Sequence, residues 1–233
     1  MTGLSVSQVN KAGKVLRRAL RGDASVDGAA FNAAFGVLLA FRAAHQSPLT
    51  TANMGLLSMV KTVGCLEPEI SQRLKRVPTV LDKLRREPTL ALANMQDLGG
   101  CRAVLRSVEE VRLVAARLVS RGRVERVSDY ITEPRASGYR GVHAIVRYHD
   151  RRIEVQLRTQ VMHQWAVTVE ALSGVIGRDV KSGAGPEQVQ ALMEAISRAM
   201  ALEELGLPVD DELLDEMTAL RSAAAPYLIG GRR

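Results

Sequence analysis

Two isolated carboxylates stand out in this sequence because basic side chains surround each of them. Asp97 precedes a Gly-Gly pair in QDLGGCR, and Glu154 lies in the segment IEVQLR. Neither acid comes with the histidine or cysteine spacing that a softer metal requires. Carboxylates among cations suit a hard divalent ion such as Mg²⁺, held by one or two acids together with phosphate oxygens of a bound molecule. The pattern therefore predicts Asp97 and Glu154 as magnesium ligands in chemistry on a phosphorylated compound.

Arginine and lysine side chains cluster near both acids. If residues 67–76 form a strand, Arg73 and Lys75 share one face and place two cationic donors side by side. Such groups stabilise charge that builds on a transferring phosphoryl group, although a solvated strand edge is the alternative for this segment taken alone. The basic residues that we associate with the site are Arg73, Lys75, Arg76, Arg102, Arg135 and Arg158.

The groups near Glu154 are expected to lie on a hairpin. Glu154, Gln156 and Arg158 alternate with apolar residues, the period of a half-buried strand, so these three polar side chains project from one face. A loop rich in Pro and Gly precedes the hairpin and contains Tyr139, whose ring offers a flat face on which a base could stack. The His149-Asp150 pair is interpreted as the hairpin turn, with a metal-binding pair as the less favoured alternative.

The periodicity of the apolar residues predicts an α+β fold around this hairpin. The central order of elements is strand, helix, strand, helix, strand, loop, hairpin, helix. That order indicates a mixed β-sheet of about five strands flanked by helices. We divide the chain into an N-terminal helical layer at 1–66, a core at 67–175 and C-terminal helices at 176–233.

The net charge of +7 is unevenly distributed. Residues 1–66 carry seven basic and two acidic side chains, and residues 67–175 carry nineteen and thirteen. Residues 176–233 reverse the balance, with six basic and ten acidic groups. A basic front portion suits a polyphosphate or a nucleic acid, with a solvated surface as an equal alternative. The acidic run near the end is interpreted as a solvated face, with a contact to a partner as its alternative.

Composition also bears on the class of protein and its compartment. The sequence has no apolar run long enough to span a membrane and no visible signal peptide, so we expect a cytoplasmic protein without membrane contact. Cys65 and Cys101 give neither a disulfide framework nor metal-ligand spacing, which agrees with a reducing compartment. A Walker loop and a dinucleotide-binding glycine pattern are both missing, so the common nucleotide folds are not indicated.

Five motifs, taken in order, resemble the synthetase domain of the RelA/SpoT family, the alarmone synthetases. At the loop, the hairpin and the helix after it, the resemblance is carried by EPRASGYRGVH, IEVQLRT and MHQWA. The segment QDLGGCR is similar to the family's Asp-x-x-Gly-x-Arg strand. The segment ISQRLKRVPTVLDK is similar to the family's Arg-x-Lys strand and the helix that follows it. Together they cover about residues 67–172. The resemblance implies a nucleotidyltransferase-like synthetase fold. It is strongest to the single-domain small alarmone synthetases, which include toxins of toxin–antitoxin pairs.

The resemblance implies a pyrophosphokinase that moves the β,γ-diphosphate of ATP to a ribose 3′-hydroxyl and releases AMP. The first hypothesis for the acceptor is GDP or GTP, which gives ppGpp or pppGpp. The second is the 3′ end of tRNA, which the basic charge of residues 1–175 favours because tRNA needs phosphate contacts outside the active site. A third hypothesis, a catalytically inactive regulator, conflicts with the intact site residues. An antitoxin protein and a homo-oligomer are further candidate partners.

The resemblance also implies a role for individual positions, with Mg²⁺ bound by the two acids. The catalytic set is Asp97, Glu154, Gln156 and His143. The ATP-binding set, in which arginines sandwich the adenine and lysines hold the phosphates, is Arg73, Lys75, Arg76, Lys83 and Arg102. The acceptor-binding set, in which the tyrosine stacks on guanine, is Arg135, Ser137, Tyr139, Arg140 and His143.

Three loop positions depart from the family pattern. Arg135 stands where lysine is frequent, which keeps the charge but changes the hydrogen-bond geometry. Ser137 stands where asparagine is frequent in long members, and Gly141 where serine is common. These differences bear on the choice of acceptor and leave the donor chemistry intact.

Overall fold

The structure, a computed structural model, describes residues 3–229, so the ends of the N- and C-terminal segments, at 1–2 and 230–233, lie outside the described residues. The helices are α1 (Val6–Leu20), α2 (Gly28–Ala43), α3 (Gln46–Val63), α4 (Val77–Arg86), α5 (Val108–Ser120), α6 (Gln160–Ile176), α7 (Glu187–Glu204) and α8 (Asp211–Ile229). The strands are β1 (Glu69–Leu74), β2 (Gly99–Leu105), β3 (Val124–Asp129), β4 (Val142–Tyr148) and β5 (Arg151–Thr159).

The five strands form one mixed sheet in the order β1-β2-β5-β4-β3. β2 and β5 run parallel, and the other neighbouring pairs are antiparallel. This arrangement confirms the predicted α+β class, the mixed sheet and the flanking helices. The hairpin turn is also confirmed, because His149 and Asp150 both have positive φ, as a type I′ turn between two strands requires.

Two local predictions differ from the structure. β1 spans Glu69–Leu74, which is shorter than the predicted strand at 67–76. The Ser47-Pro48 pair predicts a break between the second and third helices; the break lies at Ala44 and His45 instead, and α3 takes up Pro48 in its first turn. Proline is compatible with that turn, since the amide hydrogen that it lacks would have no backbone carbonyl partner within the helix.

The two faces of the sheet differ because successive side chains in a strand point to opposite sides. One face is apolar and packs against α3 and α5; in β5 its members are Ile153, Val155 and Leu157. The opposite face carries Arg102 on β2 and His143 on β4 beside the alternate residues of β5. We call it the polar face; its central residues are Arg73, Gly100, Arg102, His143, Glu154, Gln156 and Arg158.

The helices outside the sheet core form separate apolar clusters. α1, α2 and α4 pack together around Leu16, Leu38 and Leu84, whereas α3 belongs to the core of the sheet. α6, α7 and α8 enclose a further cluster that includes Trp165. Among the described residues, the helices are all too short or too polar to cross a membrane.

The two glycines at the start of β2 have different physical roles. A Cβ at Gly99 would lie 2.9 Å from Ile153 Cδ1, which would have to move, and 3.6 Å from Leu49 Cβ on α3, so this glycine faces the apolar core between the sheet and α3. A Cβ at Gly100 would meet the Glu154 carbonyl oxygen at 3.5 Å, an ordinary contact. The Gly-Gly pair at the strand entry predicts that a ligand approaches the backbone there. This prediction is wrong for Gly99, whose missing side chain would point into the core, whereas Gly100 leaves space on the polar face.

We expect Gly99→Ala to destabilise the protein by about 1–3 kcal/mol, because an added methyl group overpacks a buried core. Gly100→Ala is the matched variant, with the same added methyl group on the polar face, and should leave the free energy of unfolding nearly unchanged. Denaturant unfolding of both variants measures the difference. Equal destabilisation by the two substitutions would contradict this assignment of Gly99 to the core.

Candidate active site

The strand register arranges the polar face into two transverse rows. Facing residues on neighbouring strands lie about 4.5–5.5 Å apart at Cβ, so members of a row are direct neighbours. The first row is Ser71, Arg102, Gln156, His143 and Ser128. The second row is Arg73, Gly100, Glu154, Ile145 and Arg126.

Glu154, in the second row, is held by hydrogen bonds from two residues of the first row. His143 Nδ1 lies 2.9 Å from Glu154 Oε1, and Gln156 Nε2 donates to Glu154 Oε2 over 2.7 Å. Arg158 Nη2 donates to Gln156 Oε1 over 2.9 Å, which fixes the orientation of that amide. The Tyr139 hydroxyl contacts the remaining ring nitrogen of His143. The structure thus joins Glu154, Gln156, His143 and Tyr139 of the predicted sets in one network.

The network determines the charge of its members. Burial by itself would raise the pKa of Glu154, but the hydrogen bonds from His143 and Gln156 and the charge of Arg158 lower that pKa to about 2. Burial lowers the pKa of His143, so its ring is neutral near pH 7. A neutral ring that donates from Nδ1 to Glu154 accepts at Nε2 from Tyr139. Glu154 is therefore a permanent anion, and with so low a pKa it is better suited to hold a cation than to remove a proton.

Asp97 lies in a second group, at the turn that leads into β2. Its Oδ2 accepts from Lys75 Nζ over 3.0 Å and from Lys83 Nζ over 3.1 Å. Its Oδ1 is buried without a hydrogen-bond partner among the described residues. Asp97 lies three positions before Gly100, the residue of β2 that pairs with Glu154, so both acids stand near the start of β2.

The donor set around the two acids fits a hard cation. Both groups offer carboxylate oxygens, and the buried Oδ1 of Asp97 has spare acceptor capacity. No group of three or more His, Cys, Asp or Glu residues that could hold a metal occurs within residues 3–229. Magnesium bound by Asp97 and Glu154 would accordingly need further oxygen ligands from water or from a bound phosphate, which is its usual arrangement.

Arg73 and Arg102 occupy diagonal positions on neighbouring strands of the polar face. Diagonal neighbours are separated by roughly 7–8 Å, which leaves room for one planar ring between two guanidinium groups. Arg73 is exposed, whereas Arg102 is half-buried and lies 3.4 Å from both Gln156 Oε1 and His163 Nδ1. Burial lowers the pKa of Arg102, and the nearby charges of Arg158 and Arg73 add to this effect. Arg76, by contrast, is an exposed residue at the start of α4.

The loop at 134–141 places its aromatic residue differently from the sequence prediction. Tyr139 is 1% exposed, and the edges of Tyr130, His143 and Trp165 pack around it. The charged groups of three basic residues also lie over its ring; they are Arg158 at 4.9 Å, Arg135 at 5.4 Å and Lys181 at 5.4 Å. The prediction of an accessible flat face is therefore wrong for this conformation, because cations and aromatic edges cover the ring.

Two further loop residues are turned away from the polar face. Arg140 forms a 2.5 Å ion pair with Glu204 at the end of α7, with side chains that are only 10% and 6% exposed. Ser137 is also buried, and its hydroxyl has no partner among the described residues. The interpretation of the acidic C-terminal run as a solvated face is wrong for Glu204, because packing of α7 buries it beside an arginine. Arg135 remains exposed and donates to the Tyr130 hydroxyl over 2.8 Å.

Sequence reasoning missed three polar residues beside the polar face. His163 and Glu170 lie on α6, and Lys181 lies in the short 3-10 turn that follows this helix. Lys181 Nζ contacts Glu170 Oε1 at 2.8 Å, and burial followed by the charge of Arg158 lowers the pKa of Lys181. The seven-residue spacing of His163 and Glu170 places them on one helix face and was a usable signal. Lys181 had no comparable signal in the sequence, because it is a single charged residue in a polar linker.

Comparison with known proteins places this site in a family. Residues 72–173 match the family described as the region found in RelA / SpoT proteins. GTP pyrophosphokinase YjbM of Bacillus subtilis (strain 168) is 28% identical over 170 residues, which cover 68% of this chain and 75% of YjbM. An uncharacterized protein of Mycobacterium tuberculosis is 34% identical over 124 residues, and the matched part is 52% of this chain and 45% of that protein. The chain thus spans less than half the length of the mycobacterial relative.

Solved structures resemble about three quarters of the chain in their arrangement of helices and sheet. Small alarmone synthetase 2 of Bacillus subtilis has a TM-score of 0.59 at 19% identity, covering 71% of this chain and 92% of its own. Small alarmone synthetase 1 of the same organism, bound to its product pppGpp, has a TM-score of 0.58 at 24% identity, covering 78% and 94%. At these identities the likeness establishes the fold. Residues 72–173 of the chain are a RelA/SpoT region.

Proposed function

We propose that the chain is a pyrophosphokinase that transfers the β,γ-diphosphate of ATP to the ribose 3′-hydroxyl of GDP or GTP. The observation that carries the proposal is the position of Glu154 on the polar face, where His143 and Gln156 hold its carboxylate and the arginine pair Arg73 and Arg102 lies beside it. The relative YjbM is named a GTP pyrophosphokinase, and one structural relative holds pppGpp. Both names support a guanosine acceptor.

In the proposed reaction, the 3′-oxygen of the acceptor bonds to the β-phosphorus of ATP. The bond from that phosphorus to the oxygen bridging the α-phosphate breaks, AMP leaves, and the hydroxyl releases its proton. Lys75 and Lys83 stand beside Asp97 as cations for the donor phosphates, and the arginine pair is spaced to hold the adenine. Magnesium, when bound by Asp97 and Glu154, would neutralise phosphate charge and orient the phosphates.

A transfer assay with γ-labelled ATP and Mg²⁺ tests the proposal. Separate reactions contain GDP, GTP, bulk tRNA or no acceptor, and the products are separated by chromatography. Label on GDP or GTP is the expected result. Label in no reaction would contradict the proposal and support a catalytically inactive, nucleotide-binding regulator.

Transfer to the 3′ end of tRNA is the second candidate, favoured by the excess of basic residues over residues 1–175. A tRNA acceptor releases counterions when basic side chains contact its phosphates, so its use should decline steeply with added salt. A GDP acceptor should instead show saturable use with a weaker salt response. Label on tRNA alone would also make an antitoxin partner the next hypothesis to test.

A further inference from the structure

The C-terminal helix α7 lies outside residues 72–173 and holds the loop at 134–141 in three places. Ser197 Oγ donates to the Gly138 carbonyl oxygen over 2.6 Å. A Cβ at Gly138 would lie only 2.9 Å from Glu194 Cα, so the loop backbone rests directly on the helix. Glu204 forms the buried ion pair with Arg140. The loop that carries the predicted acceptor residues is therefore packed against a helix that the family match does not include.

The contacts follow one side of α7. Ser197 and Glu204 are seven residues apart, which is about two helical turns and places both on the same face. Glu194 lies three residues before Ser197 and so continues this face by nearly one turn. Because the helix backbone is rigid, these three contacts hold Gly138 and Arg140 in fixed positions relative to α7.

Glu204 contacts two different parts of the site. Besides Arg140, it accepts a hydrogen bond from the hydroxyl of Thr159. Thr159 is the last residue of β5 and caps α6 by accepting from the amide of Met162. Glu204, on α7, thus contacts both the loop at 134–141 and the end of β5, the strand that carries Glu154. Charge-assisted hydrogen bonds of a buried carboxylate are short and directional, so this junction is well suited to fix a loop conformation.

We propose that Glu204 is a positioning residue for acceptor binding, acting through Arg140 on the conformation of the loop at 134–141, where the exposed Arg135 donates its backbone amide to the carbonyl oxygen of the neighbouring Tyr139 over 3.2 Å. The inference rests on the proposed function, in which this loop binds the acceptor. The donor side is separate, because Arg73, Lys75 and Lys83 lie on or next to β1 and α4, on the far side of β2 from the loop. Loss of the Glu204 contact should therefore affect the acceptor more than ATP.

Steady-state kinetics of Glu204→Gln tests whether the acceptor is affected more than ATP. The variant keeps the shape and can still accept from Thr159, but it loses the charge that holds Arg140. We expect KM for GDP to rise roughly 10- to 100-fold, since a misplacement of about 1 Å in a positioning element can cost that much, while KM for ATP stays within about twofold. Glu203→Gln is the matched control, because Glu203 is an exposed neighbour on the same helix and undergoes the same charge change.

A second variant protects the test against misfolding. Arg140→Lys keeps the charge but loses the planar guanidinium geometry, and it should show the same separation of KM values to a smaller extent. If both variants fold and raise the two KM values equally, or leave KM for GDP unchanged, Glu204 has a merely structural role and the inference is overturned.

Hydrogen exchange separates this inference from the proposed function. In the protein without nucleotide, amides of residues 134–141 should exchange faster in Glu204→Gln than in the wild type or in Glu203→Gln, while amides of β2 and β5 are unchanged. Unchanged exchange in the loop would refute the positioning role whatever the activity. Faster exchange together with no transfer by the wild type to any acceptor would refute the proposed function and leave the loop contact established.

Discussion

Glu154→Gln should reduce the rate of diphosphate transfer by roughly 10²- to 10³-fold while the protein remains folded. The substitution keeps the size of the side chain and an oxygen for the hydrogen bond from His143, but it removes the negative charge. That charge is present throughout the working pH range, because the pKa of Glu154 is about 2. Removing one preorganised electrostatic group from an active site typically costs this much.

Initial rates with labelled ATP and GDP measure the effect, and thermal unfolding verifies that the variant is folded. Glu109→Gln is a suitable control, because Glu109 is an exposed acid in the first turn of α5 and loses the same charge. A folded Glu154 variant with activity within about tenfold of the wild type would remove this residue from the reaction.

Asp97→Asn should have the second-largest effect, a loss of roughly 10²-fold in kcat/KM for ATP. Asp97 Oδ2 lies within 3.1 Å of two lysine ammonium groups, and an amide in its place cannot compensate two positive charges. Lys75 and Lys83 would repel each other and lose their common anchor. Because both are predicted to hold the donor phosphates, ATP use should decline more than GDP use.

Asp82→Asn is the matched control for Asp97. Asp82 also holds two cations, Arg85 and Arg86 at 2.9 Å each, but its side chain is 42% exposed. Exposed ion pairs contribute about 0–1 kcal/mol, so this variant should keep nearly full activity and stability. Kinetics with ATP as the varied substrate compares the two variants. Similar losses in both would mean that general surface charge, and not the Asp97 group, controls ATP use.

The local sequence pattern was sufficient for the fold class and for the strand that carries Glu154. Alternation of apolar and polar residues predicts that Glu154, Gln156 and Arg158 share a face, and the structure has them on the polar face of β5. The turn at His149-Asp150 followed from the adjoining strand patterns. These features depend on interactions between residues close in the chain, and short-range periodicity records such interactions.

Features that join distant segments were decided by tertiary packing. No spacing in the sequence indicates that Glu204 is buried against Arg140, sixty-four residues away. The sequence also gives no indication that Lys181 lies over the Tyr139 ring. Nor does it distinguish Gly99 from Gly100, because only the position of β2 in the sheet directs one toward α3 and the other toward the polar face.

The physical reason is that local periodicity and tertiary contacts depend on different features of the sequence. Periodicity tells which side of an element faces an apolar core, but it does not tell which other element covers that side. The sequence by itself thus determined the α+β class, the hairpin and the polar stripe that includes Glu154. The tertiary structure alone decided that α7 supports the loop at 134–141 and that cations and aromatic edges enclose Tyr139, because both depend on how helices pack across long separations in the chain.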